Sequence, residues 1–188
     1  WHCHFIQKLE SEPSLENHEF HPQMSGIRKS NKKFLDAWNK GLTGIPFIDA
    51  CMRCLNNHGW INFRMRAMLM SFSSYQLWLP WQESGLCLAR KFIDYEPGIH
   101  WTQCQMQSGT TGINTIRIYN PIKQGYDHDP NGIFIRTWVK ELHDLPTKFI
   151  HEPWTIDLFR QNTQSFAVGN NYPLPIVDPT ISVKAARA

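Results

Sequence analysis

Apolar residues recur at helical spacing most clearly between residues 43 and 72. Pro46 stands where a helix should begin, because its fixed φ suits the first helical position and its missing N–H is not needed there. The apolar positions that follow are spaced i, i+3, i+4 and i+7, namely Ile48, Cys51, Met52 and Leu55. Gly59 can adopt the left-handed conformation that ends many helices. The pattern therefore predicts a helix over Ile45–Asn56.

A second helix is predicted over Asn62–Leu77, directly after the corner at Gly59. The Asn62 side chain can cap its first turn. Its core stripe, at spacing i, i+4 and i+7, consists of Met65, Leu69 and Phe72. A neighbouring stripe consists of Phe63, Arg66 and Met70. This second stripe places a cation beside apolar residues.

Arg66 needs an anion, because an unpaired charge beside a buried helix face is costly. Asp94 in the segment FIDYE can supply one, and Glu96 follows two residues later. The spacing leaves two interpretations open. Arg66 and Asp94 form an ordinary core ion pair, or Arg66 and the two acids surround a charged ligand. In either case we expect a desolvated pair, whose disruption typically costs ~3–5 kcal/mol.

Three further helices are predicted on either side of this pair. One spans Asn31–Asn39, and another spans Trp81–Phe92. The inward positions of the second are Leu86, Ala89 and Ile93. The third is capped by Asp129 and opened by Pro130, and its inward residues are Phe134, Trp138 and Leu142. No stretch alternates as a strand does, so we predict an all-α protein in which residues 1–188 form a single helical domain.

Two regions lack helical periodicity. Tyr95–Gly112 is polar and contains several Gly and Pro residues, so we expect an irregular segment, which in a compact domain is often functional. Its polar residues include His100, Gln103, Gln105 and Gln107. From Pro146 onward short turns alternate with one amphipathic piece near Thr155–Gln164. Much regular structure is excluded at the end by Pro173, Pro175 and Pro179.

The composition limits the possible functions. The 188 residues carry a formal net charge of only +3, so nucleic-acid binding would have to rest on a local patch. No apolar run approaches the ~18 residues of a membrane helix, and no signal peptide is visible. Five cysteines without a secretory signal are typical of reduced thiols. We therefore expect a cytoplasmic protein without membrane contact, of undetermined oligomeric state.

Cys51 and Cys54 have the spacing of a CxxC motif. No second pair stands at the spacing of a zinc site, and both cysteines lie inside a helical pattern. We therefore expect small core residues and no metal site.

Six segments occur in a characteristic order along the chain: TGIPFIDACMRCLNNHGW, RMRAMLMSF, FIDYE, TIRIYNPIKQGYDHDPNGIFIRTWVKEL, HEPW and NYPLPIVD. From Trp1 to about Asp178 the chain resembles the last part of the helical FAD-binding domain of the DNA photolyase/cryptochrome family. The resemblance implies an all-α fold without the α/β antenna domain that precedes this region in the family. The family's segment for the FAD phosphates also has no counterpart. The chain also starts at helical spacing and without an initiator Met. These features predict that the sequence is part of a longer protein, and that this part by itself can lack FAD.

The resemblance also implies which residues contact FAD. Arg66 matches the arginine beside the flavin, and Asp94 matches its ion-pair partner. Glu96 matches the family's second acid, and His100 falls near the residue that faces flavin N5. Phe63 stands where photolyases of this type usually have an asparagine over the active site.

Damaged DNA is the partner that the resemblance implies. Trp1 matches a tryptophan on the pocket floor, which contacts the flavin site and in photolyases stacks on the flipped pyrimidine dimer. Arg64 and Arg117 match arginines that grip the DNA backbone, and Lys123 is a nearby addition. Without the resemblance, surface salt bridges explain these cations equally well.

The family's electron-transfer chain of three tryptophans is incomplete here. Trp81 matches the middle member, and Arg28 stands roughly where the outer one should be. Trp101 is one candidate for the inner member, whereas Thr102 and Cys104 are the better aligned positions.

Three functions remain open. The first, which we expect, is FAD-dependent, blue-light-driven repair of pyrimidine dimers by a divergent photolyase, which is a lyase. The second is a cryptochrome-like flavin photoreceptor without repair activity. The third is a helical fragment without a cofactor.

Overall fold

The computed structural model describes residues 2–112, 116–156 and 168–187. Its α-helices are α1 (His2–Ser11), α2 (Lys32–Lys40), α3 (Pro46–His58), α4 (Phe63–Ser71), α5 (Trp81–Ala89), α6 (Pro97–Ser108), α7 (Pro121–His128), α8 (Ile133–Trp138) and α9 (Pro179–Ala185). Short 3-10 turns cover Pro13–Glu16, Pro22–Met24, Lys140–Leu142, Thr147–Phe149 and Pro153–Thr155. A π-helical segment spans Phe72–Gln76. Within these ranges β-pairing is limited to one isolated bridge between Val168 and Tyr172, which confirms the all-α prediction.

Local signals set the ends of α3 and α4. α3 starts at Pro46 and stops at Gly59, whose φ is 70°. The Asn62 side-chain oxygen accepts a hydrogen bond from the Met65 N–H at 3.0 Å and so caps α4. The π-helical segment then continues the chain nearly to the predicted end. Both predicted helices are therefore confirmed.

The core is built around α3. Five of its apolar residues have 0% exposure, namely Ile48, Ala50, Cys51, Met52 and Leu55. α3 packs against α2, α4, α7 and α8, whereas α6 packs against α1, α4 and α5. α4 therefore joins the two groups of helices. Cys51 and Cys54 are free thiols buried in this core, which is where the sequence placed them.

The prediction of an irregular segment over residues 95–112 is wrong, because α6 occupies most of it. Glu96 accepts hydrogen bonds from the N–H groups of Gly98 and Ile99 at 3.1 and 2.7 Å, which caps the helix. Gly109 ends it with a φ of 73°. The polar side chains of α6 face either a cavity or buried backbone groups. Burial on this helix therefore does not follow hydrophobicity, and apolar periodicity could not reveal it.

The predicted inward face of α5 is also largely wrong. Leu86 and Ile93 are 43% and 79% exposed, whereas Leu88 is 2% exposed. Gly85 faces the interior, where an added Cβ would lie 2.9 Å from the Trp101 ring. The buried face of α5 includes small residues, which a hydrophobic pattern does not detect.

Asp129 acts at the start of α8, but the helix begins later than predicted. The Asp129 carboxylate accepts hydrogen bonds from the N–H groups of Phe134 and Ile135 at 3.1 and 2.9 Å. α8 begins at Ile133 rather than at Pro130. The carboxylate therefore satisfies first-turn N–H groups from a position outside the helix.

The expectation of little regular structure at the end is wrong, since α9 begins at Pro179. A proline is tolerated at the first helical position, where its missing N–H has no partner to lose. The predicted amphipathic piece near Thr155–Gln164 lies largely outside the described residues.

A buried carboxylate ties the last described segment to α3. Asp49 accepts hydrogen bonds from the N–H and hydroxyl of Thr43 at 2.8 and 2.6 Å, and from the Gly44 N–H at 3.0 Å. The Tyr172 hydroxyl donates a further hydrogen bond to Asp49. The Ile176 N–H donates to the Thr43 carbonyl at 2.9 Å. The C-terminal chain is thus held at the N terminus of the central helix.

Candidate functional site

A cavity of about 420 Å3 opens between α4 and α6. The corner before α4 and the segment between α5 and α6 complete its wall. Its lining residues are Trp60, Ile61, Phe63, Arg66, Ala67, Met70, Leu88, Phe92, Asp94, Tyr95, Glu96, Ile99, His100, Gln103, Cys104 and Gln107. A mainly apolar cavity of this size with a few polar groups is typical of a small-molecule site.

The second stripe of α4 faces this cavity. Phe63, Arg66 and Met70, which the sequence placed on one helix face, all line it. Met70 is 2% exposed, whereas Phe63 is 62% exposed and Trp60 is 51% exposed. The stripe therefore runs from a buried methionine, past the cation, to an aromatic side chain open to solvent.

Arg66 and Asp94 form the ion pair that the sequence suggested. The Arg66 Nη2 donates to both Asp94 carboxylate oxygens, at 3.0 and 2.8 Å. The Arg66 Nε donates to the Ile61 carbonyl at 2.8 Å. The guanidinium carbon lies 4.1 Å from the centre of the Phe92 ring, within cation–π range. The Trp60 ring centre lies farther away, at 6.0 Å. The guanidinium is thus fixed in position by the ion pair, one backbone contact and the Phe92 ring.

The expectation that both partners are desolvated is wrong. The Arg66 side chain is 24% exposed, and that of Asp94 is 46% exposed. Asp94 lies in the segment between α5 and α6, where nearly half of its side chain is open to solvent. Solvent screening therefore lowers the free energy that this pair contributes to folding.

Glu96 lines the cavity, but its carboxylate is engaged as the cap of α6. One oxygen accepts from Gly98 and the other from Ile99. A negative charge there also stabilises the positive end of the helix dipole. The structure thus places Glu96 beside Asp94 and Arg66, and directs its oxygens at the backbone.

His100 is 8% exposed and lies against three aromatic rings, those of Phe92, Tyr95 and Trp101. Its Nε2 is 2.9 Å from the Gly85 carbonyl oxygen, which can only accept, so Nε2 carries the hydrogen in this contact. Burial lowers the pKa of His100 below its ordinary value; the bond to Gly85 opposes the shift and the charge of Arg66 adds to it. The cavity wall therefore contains a neutral imidazole at neutral pH.

Trp101 connects the cavity wall to Trp81. The Trp101 and Trp81 rings meet edge to face with centroids 6.1 Å apart, and the His100 and Trp101 centroids are 4.9 Å apart. Trp81 is 1% exposed, and its Nε1 donates to a Glu19 carboxylate oxygen at 3.2 Å. The close approach of Trp101 to α5 depends on Gly85, where any Cβ would press on the ring.

Arg28 occupies an aromatic niche near Trp81. Its Nε and Nη2 donate to the carbonyls of Ser74 and Ser108 at 2.8 and 2.6 Å. Its guanidinium lies 5.4 and 5.0 Å from the Tyr75 and Trp78 ring centres. Burial lowers the pKa of Arg28. Sequence reasoning missed the two rings, because their segment read as the tail of α4.

Arg64 lines a second cavity, of about 430 Å3, where α4 meets α3 and α7. Gln124 on α7 lines it too, and the neighbouring Lys123 is paired with Asp127 at 2.8 Å. Arg117 is exposed and lies outside this lining, although its carbonyl accepts a hydrogen bond from Ser71 at the end of α4 at 3.2 Å. The structure therefore brings Arg64 and Lys123 to adjacent helices. Trp1, the remaining predicted contact, lies outside the described residues.

Sequence reasoning named Gln103 and Gln107 among the polar residues of this segment but did not place them in the main cavity, which both line. In a helix, His100, Gln103 and Gln107 lie on one face, because they are three and four residues apart. This spacing could have revealed their shared face if the segment had been recognised as helical. In the described part of the chain no cluster of three or more His, Cys, Asp or Glu side chains is arranged to hold a metal ion. Among the helices described above, none is long and apolar enough to cross a membrane.

The whole chain, residues 1–188, matches the family described as the FAD binding domain of DNA photolyase. The chain belongs to this family. A deoxyribodipyrimidine photo-lyase of Alkalihalophilus pseudofirmus is 36% identical over 181 residues, which cover 93% of this chain and 37% of that protein. Cryptochrome-1 of Arabidopsis thaliana is 36% identical over 149 residues, which cover 78% of this chain and 22% of that protein.

A solved archaeal photolyase from Sulfolobus tokodaii, with two FAD molecules, superposes with a TM-score of 0.88 and 31% identity. The match covers 100% of this chain and 41% of that chain, so this chain spans less than half of each of these proteins. The predicted family and the predicted helical FAD-binding fold are confirmed. Because photolyases and a cryptochrome both match, family membership does not separate repair from light sensing.

Proposed function

We propose that the protein carrying this chain binds FAD in the cavity between α4 and α6 and repairs pyrimidine dimers in DNA by blue-light-driven electron transfer. The observation that carries the proposal is the Arg66–Asp94 pair inside an aromatic-lined cavity, in a chain of the photolyase FAD-binding family. FAD, when bound, supplies a light-absorbing ring that can donate an electron.

The residues of the cavity fit a flavin ring. Phe63, Phe92 and Tyr95 offer flat apolar surfaces to a planar heterocycle. The fixed guanidinium of Arg66 favours negative charge on a ring beside it. Asp94 holds that guanidinium in place and keeps the site near neutral overall. A neutral His100 adds a polar ring to the wall without adding a charge.

We assign the inner position of the electron path to Trp101 and the next position to Trp81. Two observations support this assignment: the edge-to-face contact between the two rings, and the position of Trp101 behind His100 in the cavity wall. The better aligned residues are poorer donors. The Thr102 hydroxyl is engaged with the Gly98 carbonyl at 2.6 Å, and burial raises the pKa of the Cys104 thiol, which keeps it protonated.

DNA contacts are assigned to the exposed cations. Arg64 at the second cavity is the principal one, with Lys123 on α7 and Arg117 before it as further phosphate contacts. Trp1 retains the role implied by the family resemblance, stacking on an extruded dimer beside the flavin. Damaged bases are cheaper to extrude than intact ones because they stack and pair poorly.

A flavin photoreceptor without repair activity is the second candidate. The observation that favours it is Phe63, which is 62% exposed at the cavity mouth, where repair enzymes of this type carry an asparagine. A phenyl ring cannot donate a hydrogen bond to a lesion, as an amide can. Phe63 also stands beside Trp60, so the mouth is suited to packing against an apolar partner.

The deciding experiment uses the protein in its natural length. The flavin-to-protein ratio is measured by absorption, and a thymine-dimer oligonucleotide is illuminated with blue light and assayed for restored thymines. Bound flavin with restored thymines is the expected result. Bound flavin without repair supports the photoreceptor. A colourless protein that cannot be loaded with FAD contradicts both functions and supports the third interpretation, a helical protein without a cofactor.

A further inference from the structure

The glutamines of α6 lie in two different environments. Gln105 is fully buried and satisfied by the protein. Its Nε2 donates to the carbonyls of Leu15 and His18 at 2.9 and 2.8 Å. Its Oε1 accepts from the Phe20 N–H at 2.8 Å. This glutamine therefore fastens the loop after α1 to the helix.

Gln103 and Gln107 stand on the other side of α6, one helical turn apart, and line the main cavity. The Gln103 Oε1 is buried, and it has no hydrogen-bond partner among residues 2–112, 116–156 and 168–187. Such an oxygen has lost its bonds to water and gained none in exchange. The terminal torsion of a glutamine is broad, so the amide can turn toward the cavity at little cost.

We infer that Gln103 and Gln107 form a hydrogen-bonding edge for the imide edge of a flat heterocycle, that is, a ring N–H flanked by two carbonyl groups. A primary amide offers a donor and an acceptor together. It can therefore pair with neighbouring C=O and N–H groups, whereas a carboxylate offers only acceptors and an ammonium only donors. Two amides on successive turns give this edge enough length to meet more than one ring atom.

The opposite wall of the cavity fits the same ligand. Arg66 on α4 is committed to Asp94 and to the Ile61 carbonyl through its Nη2 and Nε. A fixed cation of this kind attracts any electron-rich ring or anion. The amides of α6 add what the cation lacks, a preference for one pattern of donors and acceptors. Charge attraction and hydrogen-bond selection thus come from two different helices.

This inference rests on the proposed function, because the flavin ring carries such an imide edge. A thymine base carries the same edge, so the ligand chemistry has two possible sources. Separate measurements of the affinity for FAD and of the affinity for damaged DNA distinguish the two sources.

The test replaces each amide by an apolar side chain of similar shape, Gln103→Met and Gln107→Met, in the protein of natural length. FAD affinity is measured by fluorescence titration of the apoprotein, and affinity for a thymine-dimer oligonucleotide by anisotropy. Loss of a hydrogen bond of ordinary strength should weaken binding by about three- to tenfold per amide. Urea unfolding of the apoprotein should show no loss of stability in Gln103→Met, since the change removes an unsatisfied group.

Gln124→Met is the matched control. Gln124 also has a buried Oε1 without a partner in the described ranges, but it lines the second cavity. This variant should bind FAD as tightly as the wild type does. It is the control for the FAD titration only, because the second cavity is assigned to DNA.

The outcomes separate the inference from the function on which it rests. Weaker FAD binding in Gln103→Met or Gln107→Met supports an edge for the flavin, and weaker dimer binding alone supports an edge for thymine. Unchanged affinity for both ligands in both variants overturns the inference and leaves the proposed function standing. A wild type that binds no FAD overturns the proposed function, and the dimer titration then decides the inference alone.

Discussion

At the scale of single residues, the cavity depends on an ion pair whose partners differ in exposure. Arg66 is fixed by hydrogen bonds to Asp94 and to the Ile61 carbonyl, whereas Asp94 keeps 46% of its side chain in solvent. The spacing of FIDYE and the α4 stripe was enough to predict the pair. It was not enough to predict the exposure, which depends on how the segment between α5 and α6 crosses the cavity mouth. The pair therefore contributes more to positioning than to stability.

Leu69 tests the assignment of the core face of α4. Leu69 is 0% exposed, so Leu69→Ala removes buried methyl groups and leaves a cavity. We expect a loss of about 2–5 kcal/mol in unfolding free energy, measured by urea titration. Leu86→Ala is the matched control, because Leu86 is 43% exposed, and it should change stability by about 0.5 kcal/mol or less. Similar losses in both variants would mean that the helix faces are assigned wrongly.

At the scale of elements, the helices that the sequence predicted well are those with local end signals and apolar faces. Pro46, Gly59 and Asn62 mark the ends of α3 and α4, and the predicted apolar face of α3 is buried together with most of the rest of that helix. α6 has equally clear ends, at Glu96 and Gly109, but no apolar period. Gln105 on this helix bonds to distant backbone atoms, and Gln103 and Gln107 line the cavity. No sequence-local pattern encodes either placement.

The N terminus of α3 should make stability depend on pH through Asp49. Burial raises the pKa of Asp49 to about 6, although hydrogen bonds from Thr43 and Tyr172 and the charge of Arg53 oppose the shift. The ordinary value is about 4. Between these values the folded protein keeps a proton that the unfolded chain releases, so the contribution to stability is complete below pH ~4 and is lost as the pH rises to ~6.

The measurement compares urea unfolding of the wild type and Asp49→Asn at several pH values. The asparagine of the variant cannot titrate, so the stability of the variant should not fall through this group as the pH rises. The wild type should therefore lose about 3 kcal/mol relative to the variant between pH ~4 and ~6. A difference that stays constant over this range would show that Asp49 does not titrate as described.

At the scale of the whole molecule, α4 brings two cavities together. The main cavity lies between α4 and α6, and the second lies where α4 meets α3 and α7. Arg66 faces the first and Arg64 the second, two residues apart on one helix. The proposed function requires the two to be neighbours, since a flavin and a DNA backbone would then be held side by side. The relative placement of α4, α6 and α7 could not be predicted from periodicity, because it depends on packing between distant segments.

DNA binding should therefore depend on salt through Arg64. Each phosphate contact releases counterions, so removing one cation lowers the slope of log affinity against log salt concentration. Arg64→Gln should flatten that slope by about one unit. Lys8→Gln, which removes an exposed lysine paired with Glu12 on α1, should leave the slope unchanged. Equal slopes in the wild type and Arg64→Gln would remove Arg64 from the DNA interface.

We assign the flavin to the cavity beside Arg66. The variants Arg66→Ala and Asp94→Asn test this assignment, with Arg90→Ala, at an exposed arginine directly after α5, as the control. Asp94→Asn should cost only about 1 kcal/mol of stability because the pair is partly exposed. Any large loss of flavin in that variant therefore reports on the site and not on the fold.

The most direct measurement is the flavin-to-protein ratio and photoreduction of these proteins, purified in their natural length. We expect the wild type and Arg90→Ala to carry flavin and to photoreduce alike. We expect a strong loss of flavin in Arg66→Ala, and in Asp94→Asn a smaller loss with altered photoreduction. If Arg66→Ala and Asp94→Asn keep the full flavin content and the wild-type photoreduction spectrum, the ion pair has no role in flavin binding and the site assignment is wrong.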